Sequence, residues 1–187
     1  IQITHIDEEG YLWFDKIGGW DDIVFVGQRM KIIGVNGYVI GVIGRKASHL
    51  LKPEDRSKPP AVTDLWIDIG AANAAEARER VQVGDAGVID AHFVQITDDI
   101  VCSRSLDNRV GAWVALETLR ILSSKRPQVE VVAVATAQEE ISFAGAYVAG
   151  DRKRPTVSIA IDVTHCSDYP GSAKTINGDV KLGGGPV

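Results

Sequence analysis

The sequence predicts an α/β protein whose first half is a separate β-rich unit, and two observations carry that reading. Val129 to Ala137 is a run rich in Val and Ala, without polar alternation, that ends at two adjacent acids, Glu139 and Glu140. Thr156 to Val163 repeats the pattern, with Asp162 near its end. Continuous apolar runs of this length predict central strands covered on both faces. Open α/β sheets place their ligands beyond the carboxyl ends of such strands. Between Asp98 and the second run the order reads helix, buried strand, short helix, buried strand, which is the α/β signature.

Taken in order, Ile1 to Ile6 reads as a strand, as do Gly10 to Phe14 and Lys31 to Val35. Asn36-Gly37, set before Tyr38-Val39-Ile40, predicts a two-residue hairpin turn. Leu50 to Thr63, with Pro53, Pro59 and Pro60, reads as a mobile loop, and Asp64 to Ile69 resumes a strand. Asn73 is placed to cap a short helix running to Arg80, with Glu76 as its capping-box partner. Many short strands with glycine punctuation predict a small barrel or sandwich. The class changes near residues 95 to 100, so we expect domains at 1–96 and 97–187. In the second, Val110 to Leu122 carries Trp113, Leu116, Leu119 and Leu122 at helical spacing, a face expected to pack on the sheet.

A chain of 187 residues can bury a sizeable core, and a net charge of −5 with scattered Lys and Arg gives no footprint for nucleic acid or anionic membrane. No apolar stretch approaches the roughly 20 residues that span a bilayer. Cys102 and Cys166 lack metal-finger spacing, so a cytoplasmic location with reduced thiols is expected. The chain opens inside a strand-like pattern without Met and stops at Gly183-Gly-Gly-Pro-Val187, which reads as the middle of a longer polypeptide. That glycine run has no Lys-Ser/Thr after it and is not a phosphate loop.

Asp107 lies where a loop enters the helical run, so Asp107, Glu140 and Asp162 all stand at segment ends. Acids gathered at one sheet edge repel one another, and divalent cations relieve this. Each has an ordinary alternative: Asp107 as a helix N-cap, Glu139-Glu140 as a solvated pair, Asp162 as an acid with an Arg or amide partner.

Ser105-Leu-Asp107-Asn-Arg-Val-Gly111, Ala135-Thr-Ala-Gln-Glu139-Glu140 and Ala160-Ile-Asp162-Val-Thr164 resemble three motifs of the tetrahedral (TET) family of co-catalytic metallo-aminopeptidases, which includes glutamyl and deblocking aminopeptidases and some proteins labelled endoglucanase. Ile17-Gly-Gly-Trp20, His49 to Arg56, Ile67-Asp-Ile-Gly70 and Asp168-Tyr-Pro-Gly171 extend the resemblance over nearly the whole chain. It implies the central part of a zinc-aminopeptidase-like catalytic domain with an inserted small β-barrel domain that mediates dimer contacts within a dodecamer. It also implies two divalent ions, zinc or cobalt, with Asp107 bridging them, Glu140 and Asp162 as terminal ligands, and Glu139 as general base in peptide hydrolysis. By the same resemblance Thr4 to Leu12 matches a segment following the first histidine ligand, so His5 is not that ligand. The two histidine ligands are then expected upstream of Ile1 and beyond Val187, leaving this chain alone inactive. His165 reads as a polar loop residue near Asp162, and His49 and His92 have no chemistry assigned. Two other functions stay open: metal-independent glycoside hydrolysis by paired acids, and a non-catalytic assembly protein with a degenerate site.

Overall fold

The computed structural model describes all residues from Ile1 to Val187, and they divide into two compact units, Ile1–Val101 and Cys102–Val187. The first holds a six-stranded antiparallel sheet of β1 (Gln2–Ile6), β2 (Leu12–Asp15), β3 (Arg29–Gly34), β4 (Gly37–Arg45), β5 (Leu65–Asp68) and β6 (Gly87–Ile89). Its order is β1-β2-β5-β4-β3-β6. The sheet curls until its first strand meets the segment leading into its last: Gln2 bridges Ala86, Ile3 N–H donates to Asp85 O at 2.9 Å, and Gly87 N–H donates to Ile1 O at 3.0 Å.

Alternation explains this unit. Met30 and Ile32 on β3, Ile43 on β4, and Leu65 and Ile67 on β5 turn inward and are fully buried, while Ile33, Tyr38 and Ile40 face outward. A one-residue slip would exchange those faces, so the apolar pattern fixes the register. Phe25, carried on a short 3-10 turn, lies against Phe14 with ring centroids 5.7 Å apart. Helix α1 (Ala74–Arg80) buries Ala77 against the same core. As the sequence predicts, Asn73 caps it by accepting from Glu76 N–H at 3.1 Å, and Glu76 reaches back to the amide of Ala72.

The β3–β4 hairpin forms with its turn one residue earlier than predicted. Gly34 pairs with Gly37, which leaves Val35 and Asn36 as the loop. The last carbonyl of α1 decides this: Val35 N–H donates to Arg80 O at 3.0 Å, and a Cβ on Gly34 would lie 2.3 Å from that oxygen. The predicted loop from Leu50 to Thr63 follows a 3-10 turn at Ser48–Leu50, holds a second at Pro53–Asp55 and leads into a third at Val62–Asp64. It is tied by Arg56 to the carbonyls of Leu51 and His49, and by Val62 N–H to Asp22.

A two-stranded ribbon, β7 (Val94–Gln95) with β8 (Val101–Cys102), lies at the division. The second unit contains α2 (Leu106–Lys125), α3 (Glu139–Ser142), α4 (Ala144–Lys153) and α5 (Lys174–Asn177). The helix predicted over Val110 to Leu122 is present. The two predicted strands are not: Val129 to Ala137 and Thr156 to Val163 carry no ladder. A strand is stable only when its amides and carbonyls find neighbours, and no other segment of this chain pairs with either run. Their side chains are correspondingly open, Val157 by 75% and Ile159 by 82%. On the predicted packing face of α2, Trp113 and Leu116 are exposed while Leu119 and Leu122 are half-buried, so this chain covers that face only in part.

Replacing Asn73 with Ala should lower the stability of the first unit by about 1 kcal/mol through loss of the cap, read as a shifted urea midpoint of tryptophan fluorescence. The Lys16 ammonium and Val62 N–H hold the Asp22 carboxyl below its ordinary value of 3.8. Its stabilising contribution is therefore present above pH 3.8 and lost as pH falls through the lowered native value. Asp22→Asn should flatten the acid limb of a stability-against-pH curve, and an unchanged limb would remove this ion pair from the account.

Candidate active site

The four acids come from three segments of the second unit. Asp107 precedes the regular part of α2, and both it (φ −82°, ψ 115°) and Asn108 (φ −116°, ψ 52°) depart from helical geometry. The sequence alternative of Asp107 as a helix cap does not describe this terminus. The capping oxygen belongs to Asn108, whose Oδ1 accepts from Gly111 N–H at 2.8 Å. Glu139 and Glu140 open α3, a single turn between left-handed residues Gln138 (φ 62°) and Phe143 (φ 53°). Gly145 allows α4 to begin against the end of the apolar run: its N–H donates to Ala137 O at 3.1 Å, and a Cβ there would sit 2.6 Å from the Ala137 backbone. Asp162 lies near the end of the second run and accepts the N–H of Val163 at 2.8 Å.

These placements bring the acids within electrostatic reach of one another. The Glu139 carboxyl is pushed above its ordinary 4.5, first by partial loss of hydration and then by the charges of Glu140, Asp162 and Asp107. None of the four forms an ion pair with Lys, Arg or His. A set of hard oxygen donors, mutually repelling and without a protein cation, suits a divalent ion in charge and in donor type. The arrangement is nevertheless open, and no three His, Cys, Asp or Glu side chains are gathered tightly enough to enclose an ion. Asp107, Glu140 and Asp162 fit such a group as part of a donor set.

No histidine stands among the acids' partners. His5 lies on β1 opposite Trp13, and His92 approaches Asp90 at 3.8 Å, both in the first unit. His165 is exposed. Behind Asp162 the chain is knitted by Ser167, a buried polar side chain. Its hydroxyl donates to Gly178 O at 2.7 Å and accepts from Val180 N–H at 2.8 Å. Asp168 is held below its ordinary range by the Cys166 thiol and then by Leu182 N–H, and the Cys166 thiol is correspondingly raised. Both cysteines are free. Sequence reasoning passed over Asn108 and Ser167. For Asn108 the signal was available, since Asn three residues before the first helical amide is a capping pattern. Ser167 had none, because its partners lie more than ten residues away.

The whole chain, residues 1–187, matches the model of the M42 glutamyl aminopeptidase family. It is 34% identical over 186 residues to a putative aminopeptidase, FrvX, of Escherichia coli, covering 98% of this chain and 51% of that protein. Among solved structures it resembles a TET aminopeptidase of the marine sediment archaeon Thaumarchaeota archaeon SCGC AB-539-E09, with TM-score 0.82 and 35% identity over 91% of this chain and 49% of that one. It also resembles the Pyrococcus horikoshii TET1 peptidase, which can assemble into a tetrahedron or a large octahedral shell, with TM-score 0.81 and 36% identity over 97% and 53% of the two chains. These matches show the fold of the TET aminopeptidases. The chain belongs to the M42 glutamyl aminopeptidase family. It spans about half the length of the curated relatives it matches.

Removing one repelling neighbour should lower the Glu139 pKa. In the chain carrying Asp162→Asn, a carbon-13 titration of labelled glutamate should show the Glu139 midpoint moving toward its ordinary value; an unmoved midpoint would separate Asp162 from this site.

Proposed function

We propose that the complete protein is a metal-dependent aminopeptidase that removes N-terminal residues from peptides. The observation that carries this reading is the convergence of three carboxylate charges on Glu139, in a chain of an aminopeptidase family. Asp107, Glu140 and Asp162 would hold two divalent ions, zinc or cobalt. When bound, such ions would polarise a carbonyl and lower the pKa of water toward neutrality. Glu139 would take the proton of the attacking water and return it to the leaving amine. Donors beyond this chain would complete the set, so these residues alone are expected to bind metal weakly and to be inactive.

Two features extend the proposal to architecture. Strands from the rest of the polypeptide would pair with Val129 to Ala137 and Thr156 to Val163, whose apolar side chains this chain leaves open. The first unit would then be a β-barrel-like insert, residues 1–96, within a catalytic domain that includes 97–187. Ile33, Tyr38, Ile40 and Val42 form an exposed apolar strip on β3 and β4. That strip supports self-association into dimers and a dodecamer.

With the complete polypeptide, aminoacyl chromogenic substrates should be cleaved, chelator should abolish cleavage, and zinc or cobalt should restore it. Glu139→Gln should lower kcat by about 10²–10⁴-fold, and light scattering of the same preparation should give a mass well above one chain. Silence across the substrate panel would overturn the peptidase reading, and chelator-resistant cleavage of a glucan would replace it with glycoside hydrolysis.

A further inference from the structure

Carboxylates on separate segments keep a fixed spacing only if the backbone beneath them is tied, because repulsion always acts to part them. Asn108 makes such a tie. Its Nδ2 donates to Ile161 O at 2.9 Å, while its Oδ1 accepts from Gly111 N–H at 2.8 Å. One side chain thus joins the residue after Asp107 to the residue before Asp162 and to the first regular turn of α2. Gly111 completes the contact from beneath. It is the buried residue of that helix, and a Cβ there would lie 2.7 Å from Ile161 O and 2.5 Å from Asn108 Oδ1. Both groups would have to move, so only glycine allows the helix this close to Ile161.

We infer that Asn108 and Gly111 are positioning residues, a clamp that sets the separation of Asp107 from Asp162 and so tunes this chain's grip on divalent cations. The consequence for cations rests on the function proposed above; the tie itself rests on the hydrogen bonds alone. A purely local role, capping α2, makes a different prediction. Serine at position 108 can still cap a helix but is too short to reach Ile161, so Asn108→Ser separates the two roles. Asn108→Leu removes both, and Gly111→Ala attacks the contact from the other side.

Each variant is made in the complete polypeptide and compared with the parent by hydrogen exchange of the metal-free protein and by cobalt titration followed calorimetrically. The clamp predicts severalfold faster exchange over residues 158–164 in Asn108→Ser and Gly111→Ala. It also predicts cobalt affinity lower by about 10–100-fold, the usual cost of losing a partner that orients a ligand. Parent-like cobalt affinity in a folded Asn108→Ser would overturn the positioning role, whatever the exchange shows. If the parent itself binds no cobalt, the proposed function fails, and exchange alone then decides the clamp: faster exchange upholds the tie and unchanged exchange removes it. Should Asn108→Leu fail to fold, Asn108→Ser still carries the test.

Discussion

Mutual repulsion among Asp107, Glu139, Glu140 and Asp162 sets the terms for the second unit. Side chains of like charge separate unless something holds the backbone beneath them, and solvent exposure weakens the repulsion without abolishing it. The surrounding structure is a set of short-range restraints that oppose this separation. Left-handed Gln138 turns the chain so that both glutamates open one helical turn. Gly145 lets the next helix start against Ala137. Asn108 spans from α2 to Ile161. Ser167 closes the segment that follows Asp162 by bonding to Gly178 and Val180. None of these contacts is hydrophobic, which sets the unit apart from its neighbour in sequence.

The first unit is held in the opposite way. Its strands find partners within the chain, its inward residues are buried to a few percent or less, and its helix is capped by its own Asn73. The same chain therefore contains one unit stabilised by burial and another whose apolar runs remain unpaired. Burial supplies most of the free energy of folding, and within this chain the buried apolar side chains belong to the first unit. The helices of the second unit form because helical hydrogen bonds are local, and the predicted strands do not because ladder bonds require a neighbour.

That distinction explains how legible the molecule was. The strands of the curled sheet, the Asn73 cap and the α2 helix could be read from short β-like runs with glycine punctuation, capping pattern and helical period, all properties of contiguous residues. The four acids could be singled out as residues at segment ends, and their family motifs could be recognised. The hairpin turn was misplaced by one residue because the carbonyl of Arg80, far along the chain, accepts the N–H of Val35. The loop from Leu50 to Thr63 looked mobile because its prolines and charges signal a turn-rich path, whereas Arg56 and Asp22 organise it through contacts that composition does not encode.

The sequence by itself determined that the first half is β-rich, where its helix begins, and which acids stand at segment ends, because each follows from residue type or spacing over a few positions. Tertiary structure alone decided that the pKa of Glu139 is pushed up by lost hydration and by the charges of its acidic neighbours, that Asn108 reaches Ile161, and that Gly34 and Gly111 must lack a side chain. These depend on atoms brought within a few ångströms by the fold from positions distant in the chain, and no local pattern specifies such distances.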